Sequence, residues 1–166
     1  MGRYSEARGR ELTGYESAVE RFASSRFGAW LFLRVINPVD RRLLPASRGR
    51  LSLAVGAPVG LLQTIGAKTG QVRRTPMLYL HAGGEIVLVA SNGGSRRNPG
   101  WLHNVRANPD VQFLSREEGW RRYTAEIVTG PNRAVPWARA LDLYAGYGVY
   151  QQRAGEREIP VIVLRS

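Results

Sequence analysis

The spacing of apolar and polar positions divides the chain into a helical part and a strand-rich part. From residue 15 to residue 36 apolar side chains recur at helical spacing. Phe22, Ala29, Trp30 and Leu33 form one stripe, which Phe27, Leu31 and Val35 widen, while Arg21, Ser24, Ser25 and Arg34 fall off it. Pro38 is expected to end this helix, and Arg41, Arg42, Arg48 and Arg50 to mark a basic connector. Beyond Leu51 the pattern changes to short strands. Residues 61–65 predict a strand that runs into a turn at 66–70, and residues 75–81 predict a second. Ala82-Gly83-Gly84 reads as a hairpin turn. Residues 85–91 are apolar on both faces, so this third strand is expected to be central. Asn98 as N-cap and Pro99 in the first turn predict a short helix ending near Asn108-Pro109. Residues 111–114 and 121–128 predict another hairpin, residues 131–144 a helix, and residues 161–164 the closing strand.

Antiparallel hairpins with inserted helices differ from the regular strand–helix alternation of a parallel sheet. The expected class is mainly β with helices (α+β), a small closed or split β-barrel with an N-terminal helix and flanking helices. Residues 1–50 are read as tail, helix and basic connector, and residues 51–166 as the barrel.

Composition narrows the chemistry. The chain of 166 residues suits one domain, and its 43% apolar content is ordinary. There is no cysteine, hence no disulfide, thiolate metal site or thiol nucleophile. Two histidines, His81 and His103, are too few for a histidine-built metal site. The longest apolar run, residues 28–33, is far shorter than a membrane span, and the first residues lack an apolar segment with a cleavage site. The cytoplasm is the expected location.

The formal charge is +11, and Lys68 is the sole lysine among 24 basic residues. Such a balance favours polyanionic partners. Lys68, Arg73, Arg74, Arg96, Arg97 and Arg106 cluster in a stretch with a single acid, Glu85, and sit at turns and strand ends where a compact anion would be met. No helix rich in base-reading residues accompanies the charge, so nucleic acid is not the expected partner.

Five short stretches can carry chemistry. In Gly66-Ala67-Lys68-Thr69-Gly70 the glycines let backbone N–H groups converge, and Lys68 adds a point charge. The P-loop pattern fails here, because Ala67 separates the first glycine from the lysine and a strand follows. An ordinary hairpin turn is the alternative. Next comes Arg73-Arg74-Thr75-Pro76. Strand alternation sends Arg73 and Thr75 to one face and Arg74 to the other, so a single arginine should share a face with Lys68. Pro76 places this strand at an edge or bulge, where charges also serve merely to protect the edge.

In the third stretch, Ala90-Ser91-Asn92-Gly93-Gly94, a small hydroxyl residue and two glycines would let a flat ring approach the backbone. The following Asn98-Pro99-Gly100-Trp101-Leu102-His103-Asn104 opens a helix whose N-terminus favours anions. There Trp101 in the core with Asn104 in solvent is the plainer reading. Finally, Tyr144, Tyr147 and Tyr150 share a face if their segment is helical. They would form either an aromatic pocket wall with phenol donors or a packing cluster.

Taken in order, these stretches resemble the deazaflavin-dependent nitroreductase and quinone-reductase family. The matching pieces are Thr64-Ile65-Gly66-Ala67-Lys68-Thr69-Gly70, Arg73 to Pro76, Val89 to Gly94, Pro99 to Pro109, the three tyrosines, and Glu158-Ile159-Pro160-Val161. The resemblance implies a split β-barrel related to FMN-binding barrels, and an enzyme that passes a hydride from reduced coenzyme F420 to a quinone, nitro compound or activated enone. It implies that Ala67, Lys68, Thr69 and Arg73, with Arg74, Thr75 and Pro76 alongside, grip the anionic cofactor tail. Ala90, Ser91, Asn92 and Gly93 would lie against the deazaflavin ring, flanked by Trp101 and Asn104. Tyr144, Tyr147 and Tyr150 would line the acceptor side. Ser91, Tyr147 or Tyr150 would hydrogen-bond the acceptor oxygen. Asn92 stands where the family often has lysine, Asn98 where it often has histidine, and Leu102 where tyrosine is common.

Two other readings compete: a non-catalytic deazaflavin- or lipid-binding barrel, and an FMN-dependent oxidoreductase. The apolar stripe with basic flanks in residues 15–36 also resembles a surface-lying anchor, which would place the protein peripherally on the inner face of the cell membrane. Packing of that helix on the barrel is the alternative.

Overall fold

The structure, a computed structural model, describes residues 37–53 and 57–166. The helix expected at residues 15–36 lies outside the described residues. Helix α1 (Asn37–Ala46) leads into β1 (Val59–Ile65), β2 (Val72–Leu78), β3 (Leu80–Ala82) and β4 (Glu85–Val89). A 3₁₀ turn (Asn92–Gly94) and helix α2 (Gly100–Ala107) precede the hairpin of β5 (Asp110–Ser115) and β6 (Gly119–Val128). Helices α3 (Pro131–Leu143) and α4 (Gly146–Ala154) and strand β7 (Val161–Arg165) follow.

All seven strands pair antiparallel in the order β2-β1-β5-β6-β7-β4-β3. Alternate residues of six strands meet in one core: Leu62, Met77, Ile86, Leu88, Val111, Phe113, Tyr123, Ala125, Ile162 and Leu164. One face of so wide a sheet can converge on a single core only if the sheet coils. Because β2 and β3 remain edges, the result is a split barrel. Leu102 and Val105 of α2 insert into the same core. Gly60 is required there, since a side chain at that position would overlap the Phe113 ring.

The outer face of the sheet is covered in patches. Leu44 of α1 packs on Val59, Leu61 and Leu114. Trp137 of α3 lies over Val87, Val128, Val161 and Val163. Each fully buried leucine contributes roughly 1.5–3 kcal/mol by leaving water.

Several boundaries differ from the sequence expectation. The supposed basic connector is helical over 37–46, with Pro38 in the first turn, where a missing N–H removes no intrahelical bond. The segment is held by a buried acid. Asp40 accepts the Ser52 hydroxyl at 2.6 Å and the Leu53 N–H at 2.8 Å. The second strand begins earlier, at Val72, and ends at Leu78, with the Tyr79 N–H extending its ladder by one bond to the Pro58 carbonyl before β3 starts at Leu80. Strand β4 lies next to an edge, between β7 and β3, and not at the centre. It is apolar on both faces because the barrel core takes Ile86 and Leu88 while the α3 side takes Val87.

Candidate functional site

The turn at 66–70 closes as a compact loop. Gly66 N–H donates to the Gln71 carbonyl at 2.8 Å, and the Thr69 and Gly70 N–H groups donate to the Gly66 carbonyl at 3.2 and 2.8 Å. Gly66 has no room for a side chain, since a Cβ would come within 2.8 Å of Thr69 Oγ1. Gly70 adopts φ 66°, which favours glycine. Ala67, Lys68 and Thr69 are exposed on this loop.

Register decides which arginine joins them. Thr64 pairs with Arg73 and Gln63 with Arg74, and directly opposed residues share a face. Arg73 therefore lies on the face of buried Thr64, where its guanidinium donates to Gln71 Oε1 at 3.1 Å. Arg74 lies on the opposite face. It donates to Gln63 Oε1 at 2.8 Å and stacks 5.5 Å from the Trp120 ring centroid. Thr75 is half-buried opposite Leu62, and buried Pro76 sits on edge strand β2 opposite Leu61.

Asn104 does more than face solvent. From α2 its Oδ1 accepts the Ala67 N–H at 3.0 Å, and its Nδ2 donates to Thr64 Oγ1 at 3.1 Å. One amide thus ties the exposed turn to both α2 and β1. Trp101, half-buried one turn earlier, packs against the barrel core.

The second loop follows β4. Ala90 is buried and anchored by its N–H to the Pro160 carbonyl at 2.9 Å. Ser91 is right-handed helical (φ −67°, ψ −40°), whereas Asn92, Gly93 and Gly94 have φ of 49°, 63° and 78°. Asparagine tolerates that region better than most side chains, and Asn92 Nδ2 fixes it by donating to the Arg97 carbonyl at 3.0 Å. A Cβ at Gly94 would lie 2.9 Å from the Tyr150 carbonyl, so this glycine allows the loop to rest on α4.

A residue that the sequence reading missed holds this loop. Arg157 donates to the carbonyls of Ser95 (2.9 Å), Ala90 (3.2 Å) and Ser91 (2.8 Å), and to Asn98 Oδ1 (3.0 Å). Burial lowers its pKa from the ordinary arginine value. Asn98 consequently is not the expected N-cap. Pro99 takes that position, and the Asn98 amide serves Arg157 instead.

The three tyrosines come together, Tyr147 and Tyr150 from α4 and Tyr144 from the C-cap of α3. Ring centroids are 5.2 Å apart for Tyr144–Tyr147, 6.0 Å for Tyr144–Tyr150 and 6.3 Å for Tyr147–Tyr150, and the Tyr144 and Tyr150 hydroxyls are 3.4 Å apart. Tyr147 and Tyr150 are buried with Ala140, Ala154 and Ile159. Burial raises the pKa of both phenols above the ordinary tyrosine value, so each keeps its proton at neutral pH and can donate it in a hydrogen bond. Gly146 makes room for the Tyr144 ring, which a Cβ there would overlap.

Helix α2 therefore carries both loops. Asn98, just before it, is tied through Arg157 to residues 90–95, and Asn104 within it is tied to the turn at 66–70. The 8 residues of α2 span about 12 Å. A cationic glycine turn and a glycine-rich loop are thus held together on a split barrel. Basic side chains on one loop and a glycine-rich backbone on the other are what a molecule with an anionic tail and a planar head would need, as in flavin- and deazaflavin-binding barrels.

Comparison with known proteins identifies the kind. Residues 41–166 match the profile of the F420H(2)-dependent quinone reductase family, and the chain belongs to that family. An F420H(2)-dependent quinone reductase of Mycobacterium tuberculosis is 42% identical over 125 residues, covering 71% of this chain and 81% of the relative. The solved structure of an F420-H2 dependent reductase, FDR-A, is 34% identical with a TM-score of 0.58, covering 65% of this chain and 94% of that one. A further structure, described as a domain-swapped dimer, is 34% identical with a TM-score of 0.61, over 65% of this chain and 80% of that one.

Proposed function

We propose that the chain reduces a quinone-type acceptor at the expense of reduced coenzyme F420, with the cofactor seated across the two loops on α2. The observation that carries this reading is the Asn104 bridge, which holds the Lys68 turn against the helix that also bears the second loop. The side chains of Lys68, Thr69 and Arg73 would hold the anionic tail. Ala90 to Gly93 would back the ring, with Trp101 at its side.

When bound, reduced F420 supplies the hydride. The protein's part is alignment and exclusion of water. Ser91 and the protonated phenols of Tyr147 and Tyr150 are the hydroxyl donors assigned to the acceptor oxygen, with Tyr144 completing the wall. Nitro compounds and activated enones are proposed as further acceptors, because they too gather negative charge on oxygen as they are reduced.

Titration with oxidised F420 and with FMN tests the cofactor, and consumption of reduced F420 by a soluble quinone tests turnover. Binding of F420, its loss in K68A/R73A and return of the oxidised absorbance band are expected. Preference for FMN, or binding without turnover, would replace the proposal with one of the two competing readings.

Among the described residues no helix is long and apolar enough to cross a membrane. We propose that residues 15–36 lie on the inner surface of the cell membrane through their apolar stripe, giving access to a lipid quinone. Equal binding of the full chain and of a variant lacking residues 1–36 to anionic vesicles would refute this.

A further inference from the structure

We propose that Arg157 is a positioning residue for the reaction: by holding the carbonyls of residues 90–95 to one side, it presents the N–H groups of Ser91, Asn92 and Gly93 as a cradle for an anionic or carbonyl oxygen on the cofactor ring. This rests on the assignment of that loop to the ring.

The loop is asymmetric in its hydrogen bonding. Every carbonyl from Ala90 to Gly93 has a donor. Arg157 serves Ala90 and Ser91, the Gly94 N–H also serves Ser91, the Ser95 N–H serves Asn92, and Arg153 serves Gly93 at 3.2 Å. The N–H groups of Ser91, Asn92 and Gly93 have no backbone acceptor among the described residues. A right-handed residue followed by a left-handed one, here Ser91 and Asn92, is the conformation that points three successive N–H groups into one concavity and binds anions.

Arg157 sets the direction of that concavity. There are no cis peptides among the described residues, and in a trans peptide plane the N–H points opposite to the C=O. With the Ala90 and Ser91 carbonyls drawn to the guanidinium, the Ser91 and Asn92 N–H groups must point away from it. The fork geometry matters, since one guanidinium reaches four oxygens through three nitrogens. A lysine has the charge but not the fork. No residue of the turn at 66–70 takes part, so tail binding and ring seating are separable.

The test uses the full chain with oxidised F420 as the probe, in wild type, Arg157→Gln, Arg157→Lys and Asn98→Ala. Affinity, the absorption band of the bound cofactor, kcat with a soluble quinone and Tm are read together. For Arg157→Gln we expect cofactor affinity to fall about tenfold. The bound band should move toward that of free cofactor, and kcat should fall about 100-fold. Arg157→Lys should recover part of the affinity but not the band position, and Asn98→Ala should show the same changes in milder form.

If Arg157→Gln does not fold, the two milder variants decide by the same readouts. A lowered Tm with affinity, band and kcat at wild-type values would make Arg157 merely structural and overturn the proposal. Failure of wild type to bind F420 would instead overturn the cofactor reading, and this proposal with it.

Discussion

The side-chain oxygen of Asn104 accepts the backbone N–H of Ala67 at 3.0 Å, while the nitrogen of the same amide donates to Thr64 Oγ1 at 3.1 Å. Two variants separate geometry from charge at this bridge. Asn104→Ala loses both bonds and should cost about 1–3 kcal/mol of stability together with cofactor affinity. Asn104→Asp keeps an acceptor for Ala67 and lets the Thr64 hydroxyl donate, so the turn should persist, but it puts a negative charge beside the proposed tail site. Its Tm should stay near wild type while its affinity for F420 falls. Calorimetric titration alongside thermal unfolding checks both.

Lys68 is the chain's sole lysine, so acylation of side-chain amines is confined to one position. Acetylation should remove most F420 affinity, whereas dimethylation, which keeps the charge, should retain most of it. Bound F420 should slow the modification, as followed by intact mass. Equal modification rates with and without saturating F420 would detach Lys68 from the tail site.

Gly94 lies against α4 with φ 78° and no space for a Cβ. Gly94→Ala should destabilise the protein by about 1–3 kcal/mol from backbone strain alone and shift the loop at 90–94, lowering F420 affinity if that loop is the proposed ring seat. Gly60→Ala, which crowds Phe113 in the barrel core, should cost a similar amount, about 1–3 kcal/mol, without changing F420 affinity in the folded protein. Denaturant unfolding and cofactor titration of the pair distinguish a local from a remote effect.

The end of the barrel opposed by the β5–β6 hairpin has a pH-dependent tie. Tyr123 donates to Glu118 Oε2 at 2.7 Å. This hydrogen bond is the main reason that the Glu118 carboxyl lies below its usual range, while burial first and then the same bond push Tyr123 up to about 12. A lowered carboxyl pKa stabilises the fold above the unfolded value of 4.5 and loses that contribution as pH falls through the folded value. The raised phenol stabilises below its unfolded value of 10.0, and that contribution fades as pH rises toward 12. Stability of wild type minus that of Tyr123→Phe should therefore be flat near neutrality and shrink at both extremes, as measured by urea unfolding across pH.

How much of this was legible depended on the range of the interactions involved. The turn at 66–70 and the division of Arg73 from Arg74 follow from local glycine chemistry and strand alternation, and Pro76 does sit on an edge strand. Tyr147 and Tyr150 share a helix face as their spacing of three predicts, whereas Tyr144 joins them from the extended residue that caps α3, its ring accommodated by Gly146. Helix α1 escaped notice because its two prolines and arginines looked like a connector, and only the tertiary contacts of Asp40 and Leu44 hold it. Arg157 escaped notice for a different reason. It acts on carbonyls 62 to 67 residues away, and no local pattern separates it from the other arginines of an arginine-rich chain.

That long reach has a consequence for how the molecule is made. Strands β4 and β6 are joined only through β7, which pairs Val87 with Val163 on one side and Val163 with Glu126 on the other. Arg165 fastens the same seam by pairing with both Glu85 and Glu126. During synthesis the loop at 90–94 would emerge long before Arg157 and β7, and the nascent barrel would carry an unfilled slot between two apolar strands. Contacts of such separation form late and slowly. Cofactor capture should therefore wait until β7 has emerged, and a ribosome stalled before residue 157 would display the turn of the proposed tail site without the guanidinium that orders the loop at 90–95.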